Sequence, residues 1–408
     1  MNSKYLYMNL SVISGIIQRL IRQNNPDITS AKNEIRRIAR LSKTETRHLV
    51  YQAIKKINQG LFPPITELEL ILTWQCNLGC AYCFEKDLLG FKRMPSEIAF
   101  RAIDVLFDYS ADQSNLRITF FGGEPTLNIS LIKKVVNYVD IKQTAADKHV
   151  DYYMTSNGTL INEPLAKYLG EHNIRVLLSI DGLQKTHDKF RTDKRNKGTF
   201  DRVIKAMQIL KKYQPWIGTK MTVMPENVHC LFNDVVGLAG LGINQFIIGS
   251  ATGAVWSNDA LAILKENLDL VSKWYKTAGK RSEKVRISQF DEQSNRFCNF
   301  GCQAGHNSIC INVNGDISPC AKILSLNGKK CLHKLGDVNY GLTHLANRRE
   351  LIHCFLLREN CKKYFIDEEY LGGCFASNFE ETSDLFQPSL SQQKIRKIEF
   401  DFFKSINR

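Results

Sequence analysis

The sequence predicts an α/β fold in which six parallel strands close partly into a barrel, with a cysteine-rich region after it. Six strand-like runs alternate with helix-like runs between about residues 66 and 250, and polar or glycine-rich loops follow the first four runs. Eight of the twelve cysteines fall between Cys298 and Cys374, where helical periodicity is lost. That pattern predicts a region held together by metal rather than by apolar area.

The elements of the predicted barrel follow one another in simple alternation. Strands are expected at 67–73, 116–121, 150–155, 175–180, 219–224 and 245–248, and helices at 95–109, 129–142, 164–172, 200–213 and 231–239. Pro95 and Pro164 mark helix starts, because proline fits the first turn of a helix. Since parallel strands end at one edge of a sheet, the loops after the first four strands are expected to form one pocket.

The chain divides into five predicted parts. They are a basic helical extension at 1–64, the partial (β/α)6 barrel at 65–255, a helical bridge at 256–296, the cysteine-rich domain at 297–380, and a C-terminal helix at 381–408. Pro63 and Pro64 form the expected linker between the first two parts.

Charge is concentrated at the N-terminus. The 408 residues carry a net charge of +14, and residues 1–60 hold eleven Lys or Arg against three Asp or Glu. Such a segment could meet an acidic peptide, nucleic acid or anionic lipid, or could simply be a solvated helix face. No apolar run is long enough to span a membrane, and no secretion signal is recognisable, so a cytoplasmic location is expected.

Three cysteines lie directly after the first predicted strand. Cys76, Cys80 and Cys83 are spaced so that three thiolates on one loop can bind three corners of a cubane iron–sulfur cluster, which leaves one iron open. A zinc site needs a fourth protein ligand, and no His or Cys follows within forty residues. The spacing therefore favours a 4Fe-4S cluster.

These residues and the loops that follow resemble the radical S-adenosylmethionine (SAM) superfamily. The matching segments, in order, are CNLGCAYC at 76–83, GGEP at 122–125, SNG at 156–158, SIDG at 179–182, and the run HD-x2-R…GTF at 187–200. The resemblance implies that the following residues lie around SAM: Tyr82, Gly122, Gly123, Glu124, Pro125, Ser156, Asn157, Ser179, Asp181, Arg191 and Val223. Within that set, Arg191 is the expected partner of the SAM carboxylate.

The resemblance also implies an activity. Radical SAM enzymes cleave SAM reductively to a 5′-deoxyadenosyl radical, which abstracts a hydrogen atom from the substrate. The cofactors supply this chemistry, and the protein supplies positioning and exclusion of water. A reducing partner such as flavodoxin or ferredoxin is expected.

The C-terminal cysteines resemble the SPASM domain of peptide-modifying radical SAM enzymes. Cys302-x12-Gly315-x4-Cys320 fits its first half, whereas in the second half, between Cys361 and Cys374, Tyr364 and Tyr370 replace two cysteines. The resemblance therefore implies one auxiliary 4Fe-4S cluster, with the ligands Cys298, Cys302, Cys320 and Cys374. The alternatives for the remaining thiols are a rearranged second site or plain burial; these thiols are Cys310, Cys331, Cys354 and Cys361.

The resemblance is nearest to maturases of ribosomally made peptides, including cyclophane-forming and darobactin-type enzymes. It implies an intramolecular carbon–carbon or ether crosslink in a precursor peptide, whose acidic leader the basic N-terminal segment would hold. Formylglycine formation of the sulfatase-maturase type is an alternative. It is disfavoured because Ala321 stands where those enzymes carry an Asp that acts as the base.

Two other classes are disfavoured. RNA modification is disfavoured because the N-terminal segment has no interleaved aromatic and basic residues of the kind that stack on bases. Nucleic acid is therefore not expected as a partner. A scaffold that only stores clusters would have no use for SAM motifs. Catalytic residues beyond the cofactors stay open, and each candidate is more often structural; the candidates are Tyr364, Tyr370, Asp291, Glu292 and Asp316.

Overall fold

The computed structural model describes residues 42–279, 285–287, 302–326, 333–356 and 374–407, with isolated residues 12, 15 and 33. The described residues form one ten-stranded sheet in the order β10-β9-β8-β1-β2-β3-β4-β5-β6-β7. Strands β1 to β7 run parallel to their neighbours, and so does β8 beside β1, whereas β9 and β10 are antiparallel additions.

The strands are β1 Glu67–Ile71, β2 Asn115–Phe121, β3 His149–Ser156, β4 Ile174–Leu178, β5 Gly218–Val223, β6 Gln245–Ser250, β7 Arg286–Ile287, β8 Ser308–Ile311, β9 Asp316–Ser318 and β10 Gly336–Asp337. The helices are α1 Lys43–Leu61, α2 Ser96–Tyr109, α3 Ile129–Ala146, α4 Glu163–Glu171, α5 Gln184–Phe190, α6 Phe200–Leu210, α7 Leu231–Leu241, α8 Asn258–Trp274, α9 Ala321–Ser325, α10 Leu345–Leu356, α11 Phe375–Thr382 and α12 Leu390–Asn407.

The prediction of a partial α/β barrel is confirmed. All six predicted strands are present as β1 to β6, each with boundaries within two residues of the expected ones. The helices start where their caps indicate: Pro95 precedes α2, and the Asn162 side chain accepts a hydrogen bond from the Leu165 amide at the start of α4. Sequence periodicity therefore positioned the barrel well.

The two faces of the barrel strands differ in composition. In β1, Leu68 and Leu70 are fully buried against the surrounding helices, whereas Glu67 and Glu69 point to the other face and are only partly buried. Strands β2 and β3 show the same alternation. The apolar residues thus form the layer between sheet and helices, and polar residues line the concave interior.

Helix α1 is attached to the C-terminal part of the chain through one buried side chain. Arg348 of α10 donates to Asn58 of α1 at 2.9 Å, and to the carbonyl oxygens of Pro63, Gly305 and His306 at 2.6, 3.1 and 3.0 Å. Its guanidinium is therefore shared by α1, the proline linker and the segment before β8. Residues 1–41, the greater part of the basic extension, lie outside the described residues except at positions 12, 15 and 33.

The C-terminal region contains more helix than the sequence suggested. The loss of helical periodicity over 297–380 does not exclude helices, because α9 and α10 lie in this range and α11 begins in it, and Leu351 and Phe375 bury their side chains completely. The helix expected at the C-terminus is present as α12, and Ser405 in it contacts Ser272 of α8 at 2.7 Å.

Within the described residues, no helix has both the length and the apolar character that crossing a bilayer requires.

Candidate active site at the carboxyl ends of the strands

The loop after β1 carries Cys76, Cys80 and Cys83, and hydrogen bonds to two other loops hold it in place. The amide of Gly79 donates to the carbonyl of Thr192 at 2.9 Å, and the amide of Ala81 donates to that of Phe190 at 2.9 Å. On its other side, Asn77 donates to Thr159 at 2.8 Å. All three cysteines are free, and each is partly exposed.

The glycine pair after β2 lies directly against the start of this loop. Gly122 has a φ of +118°, and a Cβ on Gly123 would stand 2.3 Å from the carbonyl oxygen of Gln75. The amide of Gly123 donates to Thr73 and that of Glu124 donates to Gln75, at 2.9 and 2.8 Å. Only glycine allows this approach, so the GGEP segment forms a close-fitting wall beside the first cysteine.

Glu124 ties the loops after β2 and β3 together. One carboxylate oxygen accepts hydrogen bonds from the hydroxyls of Thr126 and Ser156 at 2.6 and 2.8 Å, and the other accepts from the Asn157 amide at 2.8 Å. Pro125 follows as a buried residue in a short 3-10 turn. Burial raises the pKa of Glu124, although these donors oppose the shift. The side chains of Glu124 and Ser156 thus bind each other in this structure.

A buried ion pair closes the opposite side of the site. Arg191 donates from Nε and Nη2 to the two oxygens of Asp181 at 2.9 and 3.1 Å, and its Nη1 lies 3.9 Å from the Cys80 sulfur. The Tyr82 hydroxyl and the Thr222 amide also donate to Asp181. Although burial alone would lower the pKa of Arg191, the charge of Asp181 raises it. Arg191 is therefore a fixed cation beside one thiol of the triad.

The run that contains Arg191 is held by its own members. Asp188 accepts from the amides of Thr199 and Phe200 at 2.7 and 2.9 Å, and the Thr199 hydroxyl donates to the Arg191 carbonyl at 2.9 Å. His187 contacts that hydroxyl at 2.9 Å, and burial lowers the pKa of His187 to about 4. These contacts keep the ring neutral and fix the turn that orients Arg191.

The remaining residues expected around SAM also lie at this edge. Ser179 is partly exposed just after β4, and its amide donates to the Ser156 carbonyl at 2.9 Å. Val223 is buried at the end of β5, and its carbonyl accepts from the Ala251 amide at 2.8 Å. The structure therefore brings together every residue that the resemblance placed around SAM. Their contacts with SAM itself stay a prediction.

The three thiols of the triad lie near one another, but they are not close enough together to bind a single metal ion. Burial raises the pKa of Cys76 to about 12 and that of Cys83 to about 11, and in each case neighbouring triad thiols add to the shift. Among the described residues, no three His, Cys, Asp or Glu side chains are close enough to hold one metal ion. A cubane binds each thiolate through a different iron and so tolerates the wider spacing. The triad therefore fits a 4Fe-4S cluster better than zinc.

A second set of thiols meets on the other side of β1. Cys302 precedes β8, Cys320 ends the β8–β9 hairpin segment, and Cys374 caps α11. Their charges affect one another: burial raises the pKa of Cys302 to about 12 and that of Cys320 further above its usual range, and Cys374 adds to both shifts. Three separate elements thus bring three of the four predicted ligands together.

Cys374 differs from the other two. Burial alone would raise the pKa of its thiol, but the Lys322 charge and hydrogen bonds from Ser377 outweigh burial and lower it. Lys322 itself donates to Ser377 at 3.0 Å and pairs with Glu380 at 3.2 Å. Deprotonation of Cys374 is therefore easier than burial alone would allow, and an iron ligand has to be deprotonated.

Several predicted residues cannot be compared with the structure. The candidate fourth ligand and the candidate catalytic side chains lie outside the described residues; they are Cys298, Tyr364, Tyr370, Asp291 and Glu292. Of the alternative thiols, Cys331 and Cys361 also lie outside, and Cys354 belongs to α10 without a described side chain. Cys310 is buried on β8 and binds Glu69 through its thiol. Asp316, on β9, pairs with Lys334.

The profile of the Radical SAM superfamily matches residues 70–235, which contain the triad, the GGEP segment and Arg191. This part of the chain is a radical SAM domain. The chain thus carries a radical SAM domain, and members of this family are enzymes that use a 4Fe-4S cluster and SAM. Predictions of the family, of the enzyme class and of these two cofactors are confirmed.

Relatives among characterised and uncharacterised proteins agree with this assignment. An uncharacterized protein of Methanocaldococcus jannaschii is 29% identical over 272 residues, which cover 67% of this chain and 89% of its own. A cysteine-type anaerobic sulfatase-maturating enzyme of Clostridium novyi is 34% identical over 144 residues, or 34% of this chain and 38% of that enzyme. The radical SAM cyclopropyl synthase TigE of Paramaledivibacter caminithermalis is 24% identical over 251 residues, or 58% and 50%. The two named enzymes are thus matched over half their length or less.

Solved structures show the same fold. The chain is similar to anSMEcpe with bound AdoMet, with a TM-score of 0.64 and 20% identity over 84% of this chain and 97% of that one. It is also similar to Streptococcus suis SuiB bound to S-adenosylmethionine, with a TM-score of 0.60 and 17% identity over 93% and 92% of the two chains. SuiB bound to its precursor peptide SuiA gives a TM-score of 0.55 at 17% identity, over 85% and 80%.

The interior of the radical SAM barrel contains charged residues that sequence reasoning missed. Glu69 on β1 and Lys220 on β5 affect each other's pKa, although three strands separate β1 from β5 in the sheet. Only side chains that point into the concave side can meet in this way. A charged residue in the middle of an apolar parallel strand was the available clue, because such strands are otherwise hydrophobic throughout.

Lys220 is within electrostatic reach of both cysteine sites. Its side chain is exposed to the interior space, yet it is enclosed enough that burial lowers its pKa, which the charges of Glu69 and Cys374 partly restore. Arg191 acts in the same direction as burial. The barrel interior is therefore the space that both sites share.

A separate cavity lies at the other end of the barrel. It has a volume of about 830 Å³, and residues at the N-terminal ends of the strands line it, among them His149, Arg175 and Gln245. Since the triad lies at the carboxyl ends, this cavity is distinct from the active site.

Proposed function

We propose that the enzyme modifies a ribosomally made precursor peptide by forming an intramolecular side-chain crosslink through a carbon–carbon or ether bond. The position of Lys220 carries this proposal, because the charges of Arg191 at the triad and of Cys374 at the second thiol site both affect the pKa of this lysine. A substrate segment in the barrel interior would thus contact both sites at once. An oxidative crosslink needs such an arrangement, since the substrate would lose a hydrogen atom to the radical at the first site and then, as the new bond forms, a proton to solvent and an electron to the cluster proposed at the second site.

The relatives support a peptide as substrate. SuiB was solved with a precursor peptide, and it shares the fold over most of both chains. TigE, which is named for cyclopropyl synthesis, matches 58% of this chain. Neither relative is named for the carbon–carbon or ether crosslink proposed here. The crosslink therefore rests on the arrangement of the two sites in this chain.

Two groups of residues would hold the cofactors. The triad would bind the 4Fe-4S cluster, and the loops with Gly123, Asn157 and Arg191 would enclose SAM, whose reductive cleavage supplies the hydrogen-abstracting radical. The chain contributes a fixed cation at Arg191, oriented by Asp181, and a close backbone wall at Gly123. The loops hold each other through buried hydrogen bonds, so the site is preorganised and shielded from water.

For the second site we propose a single auxiliary 4Fe-4S cluster with the ligands Cys298, Cys302, Cys320 and Cys374. The convergence of Cys302, Cys320 and Cys374 supports it. Four protein thiolates would leave no iron open to substrate, which favours electron transfer as the role of this cluster.

The N-terminal part offers a place for an acidic leader. A groove of about 480 Å³ runs between α1, α2 and α3, and Arg47, His48 and Arg101 line it. Its acidic members, Asp104 and Asp108, are already paired with Lys142 and Lys55. Arg101 is likewise paired with Glu97, so among the described lining residues the positive charge offered to an acidic peptide comes from Arg47.

The direct test uses the short peptide encoded beside the gene for this enzyme, co-expressed with it or incubated with anaerobically reconstituted enzyme, SAM and reductant. The expected product has lost two hydrogens per event, and tandem mass spectrometry finds a fragment-resistant ring that includes an aromatic side chain. An unchanged peptide mass, despite formation of 5′-deoxyadenosine, would contradict the proposal.

One observation favours formylglycine formation as a second candidate. Ala321 replaces the Asp that acts as the base in those enzymes. The Ala321 amide donates to Glu69 at 3.0 Å, however, so a carboxylate still lies at this position. This chain is also 34% identical to the sulfatase-maturating enzyme over 144 residues. A formylglycine product carries an aldehyde that reacts with hydrazides, whereas a crosslink does not, and this reaction distinguishes the two functions.

A further inference from the structure

The triad loop reaches the surface of the protein. Gly79 and Ala81, which lie between its cysteines, are exposed. An exposed segment borders the start of the loop: the Arg93 side chain donates to the side chain of Gln75 at 2.9 Å, and the Gln75 amide group donates to the Phe91 carbonyl at 3.3 Å. A protein that delivers electrons to the triad from outside can therefore approach it on this side.

A second exposed segment, the turn at 192–198, borders the middle of the loop. The Gly79 amide donates to the Thr192 carbonyl at 2.9 Å. The acid of this turn, Asp193, accepts hydrogen bonds from two amides of the turn at 2.9 and 3.0 Å, and it pairs with Arg202 at 2.9 Å. Asp193 is thus occupied in holding the turn and does not neutralise the cations at its tip.

The surface around the triad loop carries an excess of positive charge. Six basic side chains are exposed there, and none forms an ion pair with another residue that the structure describes; they are Lys86, Lys92, Arg93, Lys194, Arg195 and Lys197. Among these positions, Asp87 is also exposed and carries the opposite charge. These six residues and Phe91 form a surface, the basic face, that attracts acidic proteins.

The basic face includes an uncovered aromatic ring. Phe91 is 91% exposed. Its backbone is nevertheless anchored, because the Gly90 amide donates to the Trp74 carbonyl at 2.8 Å and Gln75 binds the carbonyl of Phe91 itself. The ring is therefore presented next to the residues that lead into Cys76. Aromatic side chains are enriched where proteins contact one another.

We propose that an acidic, flavin-containing electron carrier of the flavodoxin type docks on the basic face and delivers the electron that the radical SAM reaction consumes. Acidic side chains of the carrier would meet the six cations, and Phe91 would contact the exposed edge of the flavin ring. A ferredoxin would offer no planar ring to Phe91, which favours the flavin carrier. In each encounter the flavin loses one electron, which the triad cluster gains, and no bond forms or breaks at this step.

Binding measured without turnover tests the proposal. An oxidised, acidic flavodoxin is titrated at low salt into anaerobically reconstituted enzyme. Lys92→Glu and Lys194→Glu, one on each side of the triad loop, are each expected to weaken binding about tenfold, and Phe91→Ala is expected to weaken it about fivefold. Lys92→Arg keeps the charge and is expected to bind as wild type does. Added salt should weaken binding by wild type more than binding by the Glu variants.

The matched control is Lys205→Glu, which reverses the charge of an exposed lysine on α6 and is expected to leave binding unchanged. The rate of 5′-deoxyadenosine formation gives a second measurement. With flavodoxin and its reductase as the electron source, Lys92→Glu and Lys194→Glu are expected to be slower than wild type. With reduced methyl viologen, a small cation that needs no docking surface, neither variant is expected to be slower.

Equal affinity of wild type and both Glu variants for flavodoxin overturns the proposal, and so does an equal loss of affinity in Lys205→Glu. Tighter binding of a ferredoxin than of flavodoxin overturns the choice of a flavin carrier. The proposal does not depend on which bond the enzyme forms in its substrate, because the peptide product can be measured separately with the viologen as reductant.

Discussion

At the triad, one loop of eight residues supplies all three thiols, whereas the second site gathers Cys302, Cys320 and Cys374 from three separate elements. The triad loop is fixed by backbone hydrogen bonds to its neighbours. The second site depends on the pairing of β8 with β1 and on the placement of α11. A local motif in the sequence can therefore indicate the first site, whereas the second site forms only once distant segments have packed together.

The largest expected effect separates the two sites by function. Replacing Cys76, Cys80 and Cys83 with alanine is expected to abolish 5′-deoxyadenosine formation, because no cluster remains to bind SAM. Replacing Cys302, Cys320 and Cys374 is expected to preserve SAM cleavage and abolish peptide product. Liquid chromatography of the nucleoside and iron analysis measure this, and each variant should lose about four irons per chain. Loss of SAM cleavage in both variants would mean that the sites are not independent.

The next effect concerns the ion pair at the triad. Asp181→Asn removes the partner of a buried guanidinium, which is expected to lower the free energy of unfolding by about 3–5 kcal/mol and to weaken SAM binding. Asp201→Asn, an exposed carboxylate on α6, serves as the matched control and is expected to change neither. Chemical denaturation and SAM titration measure the two quantities. A variant as stable as the control would show that Arg191 finds another anion.

On the side of the second site, Arg348 is the buried guanidinium that corresponds to Arg191 at the triad. Arg348→Met leaves the carbonyls of Pro63, Gly305 and His306 without this donor, so a loss of about 3 kcal/mol is expected. Arg349→Met, its exposed neighbour, is expected to be neutral. Denaturation monitored at the second cluster should shift more than SAM binding does; an equal shift in both would indicate that α1 supports the whole barrel.

The smallest expected effect is a pH dependence at His187. Because the pKa of His187 is lowered to about 4 in the fold and lies near 6.5 when unfolded, its neutral form stabilises the protein above pH 6.5, and this contribution is lost as the pH falls toward 4. At pH 5 the loss is about 2 kcal/mol. His187→Gln is expected to abolish this part of the pH dependence, whereas His149→Gln, which alters an exposed ring, is expected to keep it. Parallel pH profiles for wild type and His187→Gln would contradict the assignment.

The sequence predicted the barrel and the triad because both follow from short-range patterns. Apolar alternation gave the strands to within two residues, and cysteine spacing gave the cluster ligands of the radical SAM domain. The role of Asp181 was less accessible. It was expected beside SAM, yet in the structure its oxygens bind Arg191, Tyr82 and the Thr222 amide, which are contacts between separate loops that no local pattern reveals.

The barrel interior was missed for a related reason. Glu69 and Lys220 looked like ordinary polar positions in strands, because the curvature that brings β1 opposite β5 is a property of the whole sheet. Glu85, two residues after Cys83, is buried, and no local pattern indicates this.

The parallel pairing of β8 with β1 has a consequence for biosynthesis. The strand that leads into the triad acquires its second neighbour, β8 at Ser308–Ile311, only after the ribosome has made 311 of the 408 residues. Until then the nascent polypeptide has an open sheet edge next to three reactive thiols, a state prone to aggregation and oxidation. Iron–sulfur loading during translation would protect it, and shortened gene products that end before β8 should therefore be poorly tolerated in air.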